Sequence, residues 1–173
     1  GLQNSYMHWQ NRLPLYNLRM QNLSAAVIRP QLPLVESRVA AGRANHDHVA
    51  LRLNLSQWLN VPDALPQESR APDSLQFNLI GDWSDSDARA FQDAARARGV
   101  SLQIFGLSDD NARAFWNWKF LGDVPDMPQT RAMLMRACDL RLPARLTRAE
   151  LDYIADAILS ALSEVRMTRT DAA

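Results

Sequence analysis

Cysteine is nearly missing from this chain: Cys138 is the only one, so no internal disulfide can form. Lysine is equally scarce, with Lys119 alone among many arginines. A function needing a second lysine must find it elsewhere. Net charge is also lacking, because Lys plus Arg and Asp plus Glu both count 19. A neutral chain has no basic excess to draw nucleic acid and no acidic tail to meet a basic partner. No apolar run reaches 18 residues, which excludes a membrane-spanning helix by pattern, and no cleavable signal is visible, so the expected location is cytoplasmic. The G-x-G-x-x-G and P-loop phosphate cradles, G-x-S-x-G, C-x-x-C and H-E-x-x-H are all absent.

What is present suits one domain of 173 residues, long enough to bury a real core. The arginine and alanine bias suggests a bacterial, GC-rich source. Residues 1–15 have no clear period and read as a loop entering the first helix. Helical spacing follows at Met20, Leu23, Val27 and Ile28, and again from Leu34 onward, with Pro30 and Pro33 between. These predict a short helix to about Arg29, a break, and a second helix over 34–59. Residues 61–74 read as a surface loop. Leu75–Gly81 and Val100–Phe105 read as strands, flanking a helix capped by Ser84 or Ser86 and ended by Gly99. Thr130–Cys138 is helix-like and Leu140–Leu142 a short strand. Thr147 and Glu150 form a capping box for a last helix with an apolar stripe of Leu151, Ile154, Ile158, Leu159 and Leu162. A polar tail, 166–173, is expected to fray. The fold class is therefore α+β: a three- or four-stranded sheet with helices packed on one side.

Tyr16-Asn17-Leu18-Arg19 is the densest chemical signal. Asn17 can cap the helix that follows, or donate its amide N–H groups to a phosphate without adding charge. Arg19 adds a fork of donors suited to a phosphate or carboxylate, and the helix end itself favours an anion. Downstream, Trp116, Trp118 and Phe120 surround Asn117. Trp faces stack on sugar rings and bases; the alternative is core packing against the sheet for at least two of the three rings. His46 and His48 stand two apart on a helix, on different faces, a poor metal pair expected on a solvated surface. No metal site is expected. Cys138, among Met133, Leu134, Met135 and Leu140, reads as a buried small hydrophobe and not a nucleophile. Asp85, Asp87, Asp109 and Asp110 read as caps and loop charges.

Tyr16-Asn17-x-Arg19-Met20-x5-Ala25-Ala26 resembles the G-Y-N-x-R-M-x-E-L-Q-A-A signature of the DegT/DnrJ/EryC1/StrS family. Leu140-Arg141-Leu142-Pro143-Ala144-Arg145-Leu146-Thr147, with Glu150-Leu151-Asp152, resembles that family's closing L-P-L-x-P-x-L-T-x-E-E-L-D and terminal helix. The two stretches stand in family order, so the resemblance runs from about Ser5 to Leu162. It implies the C-terminal small domain, here 16–165, of a fold-type I pyridoxal-phosphate enzyme, most often a sugar aminotransferase. The implied substrate is a nucleotide-linked keto-sugar, with an amino acid as amino donor. The lysine that carries the cofactor in such enzymes precedes the Tyr-Asn signature. No residue before Tyr16 is lysine, so a missing large domain is the implied partner, in a homodimer, and this chain alone should be inactive. The resemblance further implies that Asn17, helped by Arg19, reaches across the dimer to the cofactor phosphate. His8 and Tyr16, with Trp116 and Asn117, become candidates for the substrate pocket. Leu15 stands where the family has Gly, a departure, because Gly permits a left-handed backbone and Leu resists it. A pyridoxal-phosphate sugar dehydratase fragment and a non-catalytic interaction module descended from such a domain remain the alternatives.

Overall fold

The computed structural model describes residues 20–170. Helix α1 (Asn22–Ile28) runs into a 3-10 segment, Arg29–Leu34, that carries both Pro30 and Pro33. Neither proline has an N–H to give, so this stretch tightens and helix α2 (Val35–Leu53) begins only beyond it. No residue of α1 or the 3-10 segment is buried. In α2 the buried positions are Gly42, Asn45, His46, Val49 and Leu53, which share one face at helical spacing. Gly42 has to be glycine, since a Cβ there would lie 2.4 Å from the Pro72 carbonyl oxygen.

Helix α2 stops six residues short of the predicted end. Asn54 takes over: its Oδ1 accepts the Val61 N–H at 2.7 Å and its Nδ2 donates to the Val61 carbonyl. The chain is turned back, and Leu59–Asn60 becomes strand β1. Strand β2 (Ser74–Leu79) follows the proline-containing loop. Helix α3 (Asp85–Ala97) starts on the predicted Ser84, in a reciprocal capping box with Asp87, and ends at Gly99, whose φ is +76°. Strand β3 (Leu102–Ile104) is shorter than predicted.

The 130–142 region corrects the sequence reading. Helix α4 spans only Pro128–Leu134, and β4 is Ala137–Arg141, so Cys138 lies in a strand and not a helix. The sheet order is β1-β2-β4-β3, with every neighbouring pair antiparallel. Because β4 sits between β2 and β3, the unit β2-α3-β3 is a split crossover, and β4 must be extended to pair the backbone groups of both neighbours. Met133, Leu134 and Ala137 do match a helical period, but this pairing overrides it. Arg136 marks the switch from helix to strand by donating to the Trp83 carbonyl and pairing with Asp85 at 2.8 Å.

Helix α5 (Arg148–Thr170) begins at the predicted box, where Glu150 Oε2 accepts the Thr147 N–H and Thr147 Oγ1 accepts the Glu150 N–H. It continues through Arg166, so 166–170 are helical where a polar tail was expected. Leu75, Phe77, Leu79, Leu102, Ile104, Cys138 and Leu140 form one face of the sheet. The helices α2, α3 and α5 pack over it with Val49, Leu53, Phe91, Leu151, Ile158 and Leu162. Ala94, Ala95, Ala155 and Ala161 keep side chains small in α3 and α5, letting the two helices approach closely. Cys138 is wholly buried and burial pushes its thiol pKa up, as expected of a core hydrophobe. Among the described residues no helix is long and apolar enough to cross a membrane.

Candidate functional site

Four of the six sequence-nominated site residues, His8, Tyr16, Asn17 and Arg19, lie outside the described residues. The other two sit in the irregular stretch between β3 and α4, where single 3-10 turns cover Phe105–Leu107, Phe115–Asn117 and Lys119–Leu121. Asn117 is the buried residue of its turn, and its Nδ2 donates to the carbonyls of Ser108 and Asn111, each at 3.0 Å. Both donors of the amide are thereby spent on the chain's own backbone. Asn117 is a staple that closes the loop, and its N–H groups are not available to a ligand hydroxyl.

The rings around it hold the same loop. Trp116 meets Phe115 edge-on at 5.2 Å, and the Arg131 guanidinium of α4 lies 4.4 Å from the Trp116 ring centre. Trp118 stacks on Phe120 at 5.9 Å and donates its indole N–H to the Ala112 carbonyl. The sequence reading offered core packing for at least two of these rings. None of the three joins the core; Trp116 and Trp118 are half-buried and Phe120 is 42% exposed. The ring-to-cation and ring-to-ring contacts replace burial as the means of fixing them. Lys119, the single lysine, is exposed on a one-turn 3-10 segment.

The two histidines of α2 correct another expectation, that of a solvated surface. His46 is 8% exposed and faces the loop after β1, beside Glu68 and Arg70. His48 turns to α5, where Nε2 lies 2.7 Å from Asp152 Oδ1. Asp152 also accepts from Arg52 at 2.9 Å. The hydrogen bond from His48 comes first, and Arg52 adds to it, in holding the Asp152 carboxyl below its usual range. Their i, i+2 spacing does send the rings to different elements. Among the described residues no three His, Cys, Asp or Glu side chains converge as a metal site.

The cleft between α2 and the 61–70 loop carries two guanidinium groups, and both hold the loop. Arg70 donates to Glu68 and to the carbonyls of Pro62 and Asp63, and Arg43 donates to Ser69 Oγ and the Arg70 carbonyl.

One arrangement was not visible in the sequence. The face of the sheet opposite the core carries Gln76, Asp139 and Gln103 side by side, in register across β2, β4 and β3. Gln76 and Gln103 are exposed, but Asp139 between them is only 6% exposed. The alternation of Cys138 and Leu140 with Asp139 was the signal, hidden by the helical period that precedes it.

A four-stranded antiparallel sheet with three helices on one side and a split β-α-β crossover defines an α+β domain. The chain belongs to the DegT/DnrJ/EryC1/StrS aminotransferase family, whose family model matches residues 1–159. Among curated proteins none matches. Solved structures with a similar fold include the aminotransferase TlmJ from Streptoalloteichus hindustanus, with a TM-score of 0.67 and 14% identity over 83% of this chain and 36% of that one. The sugar aminotransferase CalS13 from Micromonospora echinospora gives a TM-score of 0.65 and 14% identity, covering 84% of this chain and 36% of its own. 3-Amino-5-hydroxybenzoic acid synthase gives 0.66 and 16%, covering 94% and 47%. At these identities the likeness is one of fold. The chain spans between about a third and a half of the length of these three proteins.

Proposed function

We propose that this chain is the small domain of a pyridoxal-phosphate aminotransferase that moves an amino group from an amino acid onto a nucleotide-linked keto-sugar. The observation that carries the reading is the family match over residues 1–159, and the fold supports it. The cofactor in such chemistry supplies an electron sink for the transferred amine. The described residues do not by themselves fit that cofactor: Lys119 is exposed on a single turn, and Asn117 has no free donor. The resemblance of Tyr16-Asn17-x-Arg19 to the family signature supports giving the cofactor phosphate to Asn17 and Arg19 and the cofactor's lysine to a large domain of the same polypeptide, so that this chain's own part is binding and not bond-making. In this reading Asn17 reaches the phosphate in the partner subunit of a homodimer, and Arg19 assists. His8, Tyr16 and Trp116 border the sugar.

The test is Asn17→Ala in the complete polypeptide, with pyridoxal phosphate titrated into the apo-protein and read by absorbance. Loss of a hydrogen bond to a charged group is worth roughly 1.5–3 kcal/mol, so affinity should fall by about 10- to 100-fold. Unchanged affinity would remove Asn17 from the site. A complete polypeptide that takes up no cofactor would overturn the aminotransferase reading.

A further inference from the structure

The cleft between α2 and the loop after β1 has a volume of about 520 Å³, within the range of small-molecule sites. Arg43, Asp47, Ala50 and Leu51 line it from α2 and recur every three or four residues, so they share one helix face. By helix rise, Arg43 and Leu51 stand about 12 Å apart along the axis. The two ends of this face differ in chemistry. Ala50 and Leu51 line the cleft together with Val61 and Pro62, an apolar stretch. The other end carries one charge of each sign. Arg43 donates through Nε to the Arg70 carbonyl and through Nη2 to Ser69 Oγ. Those bonds fix the guanidinium, while Nη1 donates to no group and no carboxylate pairs with Arg43 among the described residues. Arg70 differs, because Glu68 neutralises it at 2.7 Å. Asp47 stands one turn beyond Arg43. Its Oδ1 is held by His46 Nδ1 at 3.1 Å, and its Oδ2 accepts from no group among the described residues.

We infer that this cleft binds a free α-amino acid with an apolar side chain: Arg43 takes the α-carboxylate, Asp47 the α-ammonium, and the side chain lies along Ala50, Leu51 and Val61. A guanidinium and a carboxylate one helical turn apart, each held by a neighbour and not paired with one another, match a ligand carrying the opposite charges on adjacent atoms. A phosphate fits badly, since Asp47 and Asp63 both line the same cleft and would repel it. An apolar molecule without a charged head would cover Arg43 and Asp47 and leave both unanswered, which is costly. The inference stands apart from the aminotransferase reading, because no residue of this cleft is among those given to the cofactor or the sugar.

The test is calorimetric titration of L-leucine into the protein with no pyridoxal phosphate present, so that transamination plays no part. Saturable binding is expected. Two half-ligands, 4-methylpentanoate without the ammonium and 3-methylbutylamine without the carboxylate, should each bind about ten-fold more weakly or worse. Asp47→Asn and Arg43→Gln each remove one charge and should each weaken L-leucine by about ten-fold or more. Arg43 also holds the loop, so Leu51→Asp is the variant that spares it: Leu51 is 71% exposed, and a carboxylate in the apolar stretch should abolish binding while the thermal melt stays where it was. No saturable heat with millimolar L-leucine overturns the proposal. So does 3-methylbutylamine binding as tightly as L-leucine, or an L-leucine affinity unchanged in Asp47→Asn or in Leu51→Asp.

Discussion

Asn117 offers the sharpest test of whether the 105–121 loop is stapled by that side chain. Its Nδ2 donates to the carbonyls of Ser108 and Asn111 at 3.0 Å each, and the residue is 7% exposed. Asn117→Ala removes both donors and leaves two carbonyl oxygens partly out of water. At about 1 kcal/mol per hydrogen bond the loss is about 2 kcal/mol. In a domain of this size 1 kcal/mol moves the melting midpoint by about 2–4 °C, so the expected fall is about 4–8 °C. Asn117→Asp is the more telling variant. It keeps the shape but replaces both donors with a carboxylate oxygen facing two carbonyls, so it should be less stable than the alanine variant. Far-ultraviolet circular dichroism gives the midpoint, and the fluorescence of Trp116 and Trp118 reports the loop. If Asn117→Asp melts with the wild type, the amide is not a staple, and the substrate-facing role suggested by the sequence regains its case.

Other perturbations follow from the same packing. Gly106→Ala would bring a Cβ to 2.6 Å from Met135 Sδ and 2.8 Å from the Met135 N; the backbone contact cannot be relieved by a rotamer change, so urea titration should show a loss of about 1–3 kcal/mol. Cys138 should resist alkylation at mildly alkaline pH until the protein is unfolded, because burial both raises its thiol pKa and blocks access; mass spectrometry of iodoacetamide-treated native and urea-unfolded protein reads this directly. Asp152 has a folded pKa held down chiefly by His48. A depressed folded value means that its contribution is present above the unfolded carboxylate range and is lost as pH falls through the folded value. The melting midpoint should therefore drop on acidification below about pH 4, and Asp152→Asn should flatten that part of the slope.

Much of the secondary structure was legible because it rests on local chemistry. The Ser84–Asp87 and Thr147–Glu150 boxes place two helix starts through contacts within four residues, and Gly99 places a helix end through its own backbone freedom. The end of α2 was not legible, since Asn54 stops it by bonding across seven residues to Val61. His46 and His48 looked solvated for the same reason: what covers them is the 61–70 loop and Asp152 of α5.

By itself the amino-acid sequence determined the α+β class, the order of most elements, the buried character of Cys138 and the family, through motifs whose meaning lies in their order along the chain. Only the tertiary structure decided that 137–141 is the strand between β2 and β3, and hence that Asp139 stands in register between Gln76 and Gln103. Only it showed that the Asn117 amide is consumed by its own loop. Local periodicity reports which residues favour burial. Which of two conformations a short apolar run adopts depends on where unpaired backbone donors and acceptors wait, and that is a property of strands distant in the chain.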